Sequence, residues 1–274
     1  MAARVLGALG RWGFLAVVGV ACLVPVGWVV VSSFKTQAQI FSRGDLLPNP
    51  FTLEGYVALF TEIEIAGYLG NTLLYAVAGT AGALVTGLLA AYPTARMRFP
   101  FRHSLTVMFT IALAIPVVGL IVPVFVIMRD LGLFDSRLGL VVFYSAMWFP
   151  LSFVIQRVYL SGLPPSLEEA ARLDGASYGQ LLRLVILPLS RPGLATAGVL
   201  VFINIWNDFL FNLLLAPSSE HQGVQVGLSL FKNQFNTDIT AILAGTTVVM
   251  AIPVLTFVIL QRQVITGLTA GAAR

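Results

Sequence analysis

The sequence predicts an all-α integral membrane protein with six transmembrane helices and cytoplasmic N- and C-termini. Three observations carry this reading. The 274 residues are 58% hydrophobic and 10% charged, with a mean hydropathy of +0.90. A soluble domain carries about 25% charged residues, so this chain lacks the polar surface that water demands. Six apolar blocks each reach the ~20 residues a helix needs to cross a bilayer while satisfying its own backbone. Finally, the basic residues are unevenly placed. With the N-terminus inside, only Lys35, Arg43, Arg129, Arg137 and Lys232 fall outside, leaving 11 of the 16 Lys and Arg on the cytoplasmic side, as the positive-inside rule requires.

The blocks are 12–33, 71–93, 104–128, 139–160, 193–216 and 240–261. Arg4 and Arg11 precede the first, as in a signal peptide. Its apolar run exceeds the 7–15 residues (about) of a signal core, and no small-x-small cleavage site follows before Lys35, so it reads as a retained span. The outer segment 34–70 is mildly acidic through Asp45, Glu54, Glu62 and Glu64. Pro48-Asn49-Pro50 makes a corner there, with a short amphipathic helix after it. Span two begins at Asn71 and carries Gly79, Ala83 and Gly87 at four-residue spacing, a pattern that permits close helix contact. The short loop 94–103, with Arg96, Arg98 and Arg102, gives the clearest orientation signal. Pro25, Pro116, Pro123, Pro150 and Pro253 predict kinks or breaks. Asn71, Gln156 and Arg157 read as interfacial anchors.

Several functions are excluded by what is missing. The formal charge of +4 comes from scattered residues, without the basic face that nucleic-acid binding needs. Cys22 is the only cysteine, which rules out an intrachain disulfide and a cysteine metal cluster. His103 and His221 fall on opposite membrane sides and cannot share a metal. No G-x-x-x-x-G-K-[ST] phosphate loop occurs, so ATP hydrolysis by that route is absent. No nucleophile–base pair suggests an intramembrane enzyme.

The segment between spans four and five, 161–192, is long and charged for an interhelical loop. Leu163-Pro164-Pro165 stops the preceding helix. Ser166 stands three residues before Glu169, the spacing of a capping box, and Glu168 and Glu169 suit the first turn of a helix over 167–173. Gly175 stands where a left-handed cap is expected. Ser177 and Gln180 repeat the capping-box spacing, and Pro188 ends the following apolar run. These residues form two short helices hinged at Gly175. Spacing alone leaves open whether they are only caps and a turn or also a rigid peg for a partner.

In span five, Asn204, Asp208 and Asn212 recur every four residues and share a helix face, with Trp206 and Asn207 beside them. An acidic group at that depth is a candidate site. The face either lines a translocation path or bonds a neighbouring helix. Asn233, Gln234 and Asn236 lie in the external loop before span six.

Glu169-Ala170-Ala171, Asp174-Gly175-Ala176 and Ile186-Leu187-Pro188 resemble the EAA loop of binding-protein-dependent ABC importer permeases. Trp206-Asn207-Asp208-Phe209-Leu210-Phe211 and Gly267-Leu268-Thr269-Ala270-Gly271 resemble segments of the maltose-type sugar-uptake permeases, in particular their smaller permease subunit. The tail ends at Ala272-Ala273-Arg274, where that family often carries a longer basic ending. The resemblance implies one ABC-transporter permease domain over 1–274, in the cell membrane of a prokaryote. It implies a coupling helix seated in a cleft of a cytoplasmic ATPase dimer. Glu168, Glu169, Ala170, Ala171, Asp174, Gly175, Ala176, Leu187 and Pro188 would make that coupling, with Glu169 in contact and Gly175 setting the hinge angle. It also implies a sister permease subunit, an extracellular solute-binding protein, surrounding lipid and a sugar or oligosaccharide substrate. ATP and Mg would bind the ATPase chains, and no cofactor this chain. A polyol or glycerol phosphate permease of the same superfamily is an alternative. An ion-coupled secondary transporter is another, though it should show paired intramembrane charges and inverted repeats.

Overall fold

A computed structural model describes residues 2–42, 46–61, 65–230 and 238–272, and every regular element among them is a helix. The expectations for Arg43, Asp45, Glu62, Glu64, Lys232, Asn233, Gln234, Asn236, Ala273 and Arg274 lie outside the described residues. Two compact units are present, one formed by 1–66 and 227–251 and the other by 67–226 and 252–274.

The first unit opens with α1 (Ala2–Ser32), which continues through Pro25 without a break. Residues 10–28 of α1 are exposed apart from half-buried Gly19, with Cys22 among them, and only its last turn is covered, where Ser32 is buried. Next comes α2 (Gln37–Phe41), closed by a Thr36–Gln39 capping box. Phe34 stacks on Phe51 and Tyr56, and the Tyr56 hydroxyl lies 2.8 Å from that of Ser33. The short helix expected after the proline corner is α3 (Glu54–Thr61). Gly55 is needed there because a Cβ would come within 2.7 Å of the Thr240 carbonyl oxygen.

The second unit is built around α4 (Ile65–Arg96). Its small residues do what their spacing predicts. A Cβ on Gly79 would lie 2.9 Å from Tyr144 Cβ, and one on Gly87 would lie 2.5 Å from Ser152 Oγ. Gly82, which the spacing argument did not single out, packs still closer, against Ser145. Polar side chains then bind the two helices. Ser145 Oγ donates to the Gly79 carbonyl at 3.4 Å, and Gln156 Nε2 donates to the Leu84 carbonyl at 3.2 Å. Gln156 is therefore buried between helices rather than anchored at an interface. Polar groups at a small-residue seam are how helices associate where lipid removes the hydrophobic incentive.

The remaining spans are not straight. α5 (Arg102–Ile111) and its continuation to Ala114 meet the segment Val117–Asp130, which contains α6 (Ile121–Asp130), at 101°. The bend falls at Pro116, as expected. Each half is too short for a ~30 Å hydrocarbon core at 1.5 Å per residue, so block 104–128 is a sharply bent helix pair rather than one straight helix. α7 (Arg137–Met147) and α8 (Phe149–Gly162) meet at 43°, just ahead of Pro150. Phe109 packs edge-on against Phe149 and Phe153, fixing α5 to α8. Pro253 leaves the final helix, Ile239–Ala272, uninterrupted. Pro123 sits in the first turn of α6, where its missing N–H breaks no bond. By length and composition, three helices can cross a membrane, or up to six if each bent pair counts as one span.

Candidate functional site

α9 (Ser166–Leu173) starts one residue before the expected helix. The Ser166–Glu169 capping box does not form: Pro165 is the cap, at φ −61 and ψ −29, and its carbonyl accepts from the N–H groups of Glu168 and Glu169 at 3.0 and 3.2 Å. The proline ring already holds a helical φ, so Ser166 is drawn into the first turn. A capping serine needs the extended conformation that Ser166 has lost.

The other end matches the spacing. Gly175 has φ +81, Gly175 N–H donates to Arg172 O, and Ala176 N–H donates to Ala171 O, both at 3.0 Å. These two bonds make a Schellman motif, which requires a left-handed residue at the glycine. The second capping box also forms: Ser177 N–H donates to Gln180 Oε1 at 2.8 Å, and Gln180 N–H to Ser177 Oγ at 3.4 Å. The helix beyond it, α10 (Tyr178–Gln180), continues as a π turn over Leu181–Ile186 into α11 (Leu187–Leu189). Pro188 does not end this run. Its ring blocks the i−4 bond, and the wider π turn just before it accommodates the loss. The chain turns instead at Ser190, by 71°, into α12 (Arg191–Trp206) with Pro192 in its first turn.

The hinge has two faces. Glu169, Ala170, Asp174 and Gly175 are exposed, Leu173 is 89% exposed, and Ala171 and Ala176 are half-buried. Leu187 and Pro188 are exposed, while Leu181 and Ile186 pack into a core with Leu88, Ala91, Tyr92, Phe153 and Leu160. Glu168 points the other way from Glu169. Its Oε1 lies 2.6 Å from Arg96 Nε, and both side chains are only 9% exposed. Tyr92 donates its hydroxyl to Glu168 Oε2 at 3.3 Å, and Arg172 lies 4.0 Å from the same oxygen. No sequence signal pairs residues 96 and 168 across such a separation.

Span five differs from the expected single face. α12 ends at Trp206, and α13 (Leu210–Leu215) begins after a break at Asn207–Phe209. Asp208, one residue before the Phe209 N-cap, bridges the break: its Oδ2 accepts the N–H of Asn212 at 3.0 Å and the Tyr144 hydroxyl at 2.8 Å. Asn204, Asp208 and Asn212 therefore do not share a face. Asn204 and Asn207 are exposed, and each donates to a carbonyl four residues back, Leu200 and Ile203. Trp206 is fully buried, and buried Asn212 accepts Gly223 N–H at 2.6 Å.

The end of α4 away from α9 holds a further network. Asn71 donates to the carbonyls of Glu220 and Gln222 at 2.8 and 2.9 Å and accepts from Arg137 Nε at 3.0 Å. Asn71 thus staples the loop at 220–222 to the start of α4. Asp135 binds the Ser218 hydroxyl and N–H, and lies 3.2 Å from His221 Nδ1. Chiefly the Ser218 hydroxyl, and then His221, hold its carboxyl below the ordinary aspartate value. Among the described residues no group of three His, Cys, Asp or Glu could hold a metal.

Bent apolar helices around a capped, exposed hinge are the build of a transport permease. The chain belongs to the family described as binding-protein-dependent transport system inner membrane component, whose pattern matches residues 83–268. It is 36% identical to the trehalose transport system permease protein SugB of Mycobacterium tuberculosis, over 94% of both chains. It is 32% identical to the diacetylchitobiose uptake system permease protein DasC of Streptomyces coelicolor, over 93% of both. It is 33% identical to the trehalose/maltose transport system permease protein MalG of Thermococcus litoralis, over 93% of this chain and 92% of that one. Among solved structures, it resembles a chain from a bacterial ABC transporter involved in the import of the acidic polysaccharide alginate. There the TM-score is 0.80 at 25% identity, over 96% of this chain and 97% of the other. It is thus a membrane component of an ABC importer, and the broken helices are those of the permease fold.

Proposed function

We propose that this chain forms half of the translocation pore of an ATP-driven importer for a sugar or oligosaccharide. It crosses a prokaryotic cell membrane six times, with both termini in the cytoplasm. A sister permease supplies the other half, an ATPase dimer receives α9, and an external solute-binding protein delivers the solute. ATP and Mg bind on the ATPase chains. The observation that carries this reading is the α9 hinge: Glu169 and Ala170 stand exposed on a slim helix whose exit is set by Gly175 at φ +81. Glu169 makes the ATPase contact, Gly175 sets the hinge angle, and Glu168 faces inward to root the helix. On the substrate path, Asn204 and Asn207 offer amide groups to sugar hydroxyls, while Trp206, Asp208 and Asn212 shape the break behind them. The disaccharides in the relatives' names support the solute class.

The test uses the complete importer in proteoliposomes, with radiolabelled trehalose, maltose and diacetylchitobiose as probes. ATP-dependent uptake of at least one is expected, with Glu169→Lys lowering it by about tenfold or more, equivalent to about 1.4 kcal/mol. Uptake of a polyol or glycerol phosphate instead would reject the sugar assignment. Undiminished uptake by Glu169→Lys would reject the coupling role.

A further inference from the structure

We propose that the Arg96–Glu168 pair is a positioning clasp that makes the cytoplasmic end of α4 move as one body with the coupling helix. The inference rests on the coupling role of α9 and goes beyond it, because α9 is joined in sequence only to α8 and α10. The Glu168 carboxylate is buried, with Arg96 Nε 2.6 Å away and the Tyr92 hydroxyl at 3.3 Å. Arg96 also donates through Nη2 to the Leu163 carbonyl at 2.8 Å, the residue that closes α8. One guanidinium therefore holds the end of α8, the first turn of α9 and the last turn of α4 together. A buried charge without its partner is strongly unfavourable, so pulling α9 away from α4 is resisted far more than the loss of a surface pair would be.

Past this point α4 is not free to bend alone. Its Gly79, Gly82 and Gly87 sit against Tyr144, Ser145 and Ser152 of α7 and α8 with no room for a Cβ. A displacement delivered at Arg96 therefore enters a close-packed helix pair, and packed interfaces shift as units rather than deform continuously. Glu168 and Glu169 accordingly divide the work: the exposed carboxylate receives the push, and the buried one passes it to α4.

The test measures a distance in the complete importer, so it needs no knowledge of the solute. Cys22 is replaced by Ser, the partner chains are made cysteine-free, and spin labels are attached at Arg98→Cys, just past α4, and Leu173→Cys, at the end of α9. Both positions are exposed. Distances are read without nucleotide and with ATP trapped by vanadate. In the otherwise native chain the distance should change by less than about 2 Å, whereas Glu168→Gln should let it shift or broaden by about 5 Å, the size of a one-turn slip. Arg96→Gln, which keeps an N–H donor for the Leu163 carbonyl but removes the charge facing Glu168, should release the distance in the same way. It decides the matter if Glu168→Gln lowers the yield of complex. A nucleotide-dependent distance in the native chain, or a Glu168→Gln or Arg96→Gln distance equal to the native one, would each overturn the clasp. Glu169→Lys separates the two readings. If it leaves uptake intact, coupling through α9 fails, whereas if it abolishes uptake while Glu168→Gln changes no distance, only the clasp fails.

Discussion

Tyr144 donates its hydroxyl to Asp208 Oδ2 at 2.8 Å, and that same oxygen accepts the N–H of Asn212 at 3.0 Å. One carboxylate thus bridges the break in span five and ties that break to α7. Asp208→Ala removes the bond to Asn212 and leaves a buried tyrosine hydroxyl without its acceptor. Each loss is worth about 1–2 kcal/mol. A lowered melting temperature of the purified complex is expected, with Tyr144→Phe milder because it removes the donor without leaving a buried hydroxyl unsatisfied and keeps the Asp208–Asn212 bond. An unchanged melting temperature in Asp208→Ala would show that the break is maintained elsewhere.

The seam between α4 and α8 offers a second measurement. Gly87 faces Ser152 Oγ and Gln156 Nε2 at 2.5 and 2.9 Å from where a Cβ would stand. Gly87→Leu must force the helices apart, at a cost of about 1–3 kcal/mol, and should reduce the amount of folded complex extracted from membranes. Gly67→Leu is the control, since nothing lies within 4 Å of its Cβ position. Equal yields for both variants would contradict the close packing.

At the hinge, the left-handed conformation of Gly175 restricts what can replace it. A β-branched residue there costs about 1–2 kcal/mol in backbone strain, and asparagine less. Gly175→Val should therefore lower ATP-dependent uptake of the transported sugar severalfold, with Gly175→Asn in between. A valine variant transporting as well as the asparagine one would refute a role for the hinge angle.

The network at Asp135 predicts a pH dependence. Asp135 is held below its ordinary value of 3.8, chiefly by the Ser218 hydroxyl. Because the native carboxyl binds its proton more weakly than the unfolded one, its contribution is complete above 3.8 and is lost as pH falls through the lower native value. His221 Nδ1 lies 3.2 Å from the same carboxylate. Hydrogen-exchange protection of 216–223 should hold on acidification until below the ordinary aspartate range. Asp135→Asn should lower it across the range where Asp135 is ionised and remove the acid step. A loss of protection centred near neutrality would assign the latch to another group.

Much of the hinge was legible because its determinants are local. Gly175, Ser177 and Gln180 act on residues within a few positions, so spacing alone located the left-handed cap and the second capping box. Ser166 was misread because the conformation of its neighbour, Pro165, outranked a correctly spaced side-chain pair. The small-residue pattern of α4 announced a close contact, yet only the fold revealed that its partners are Tyr144, Ser145 and Ser152.

What the sequence by itself determined was the class: apolar blocks too long for anything but helices in lipid, and a loop whose residues match one family of importer permeases. What tertiary structure alone decided were the relationships across distance. The 3.6-residue period placed Asn204, Asp208 and Asn212 on one face, but Asp208 meets Tyr144, 64 positions away, at a break in the helix that period assumes. Glu168 and Glu169 are neighbours of identical chemistry, and only the buried guanidinium of Arg96 separates the one that holds from the one that reaches out. The physical reason is common to both cases. A carboxylate's role is set by which donor meets it where water is absent, and the chain chooses that donor only when it packs.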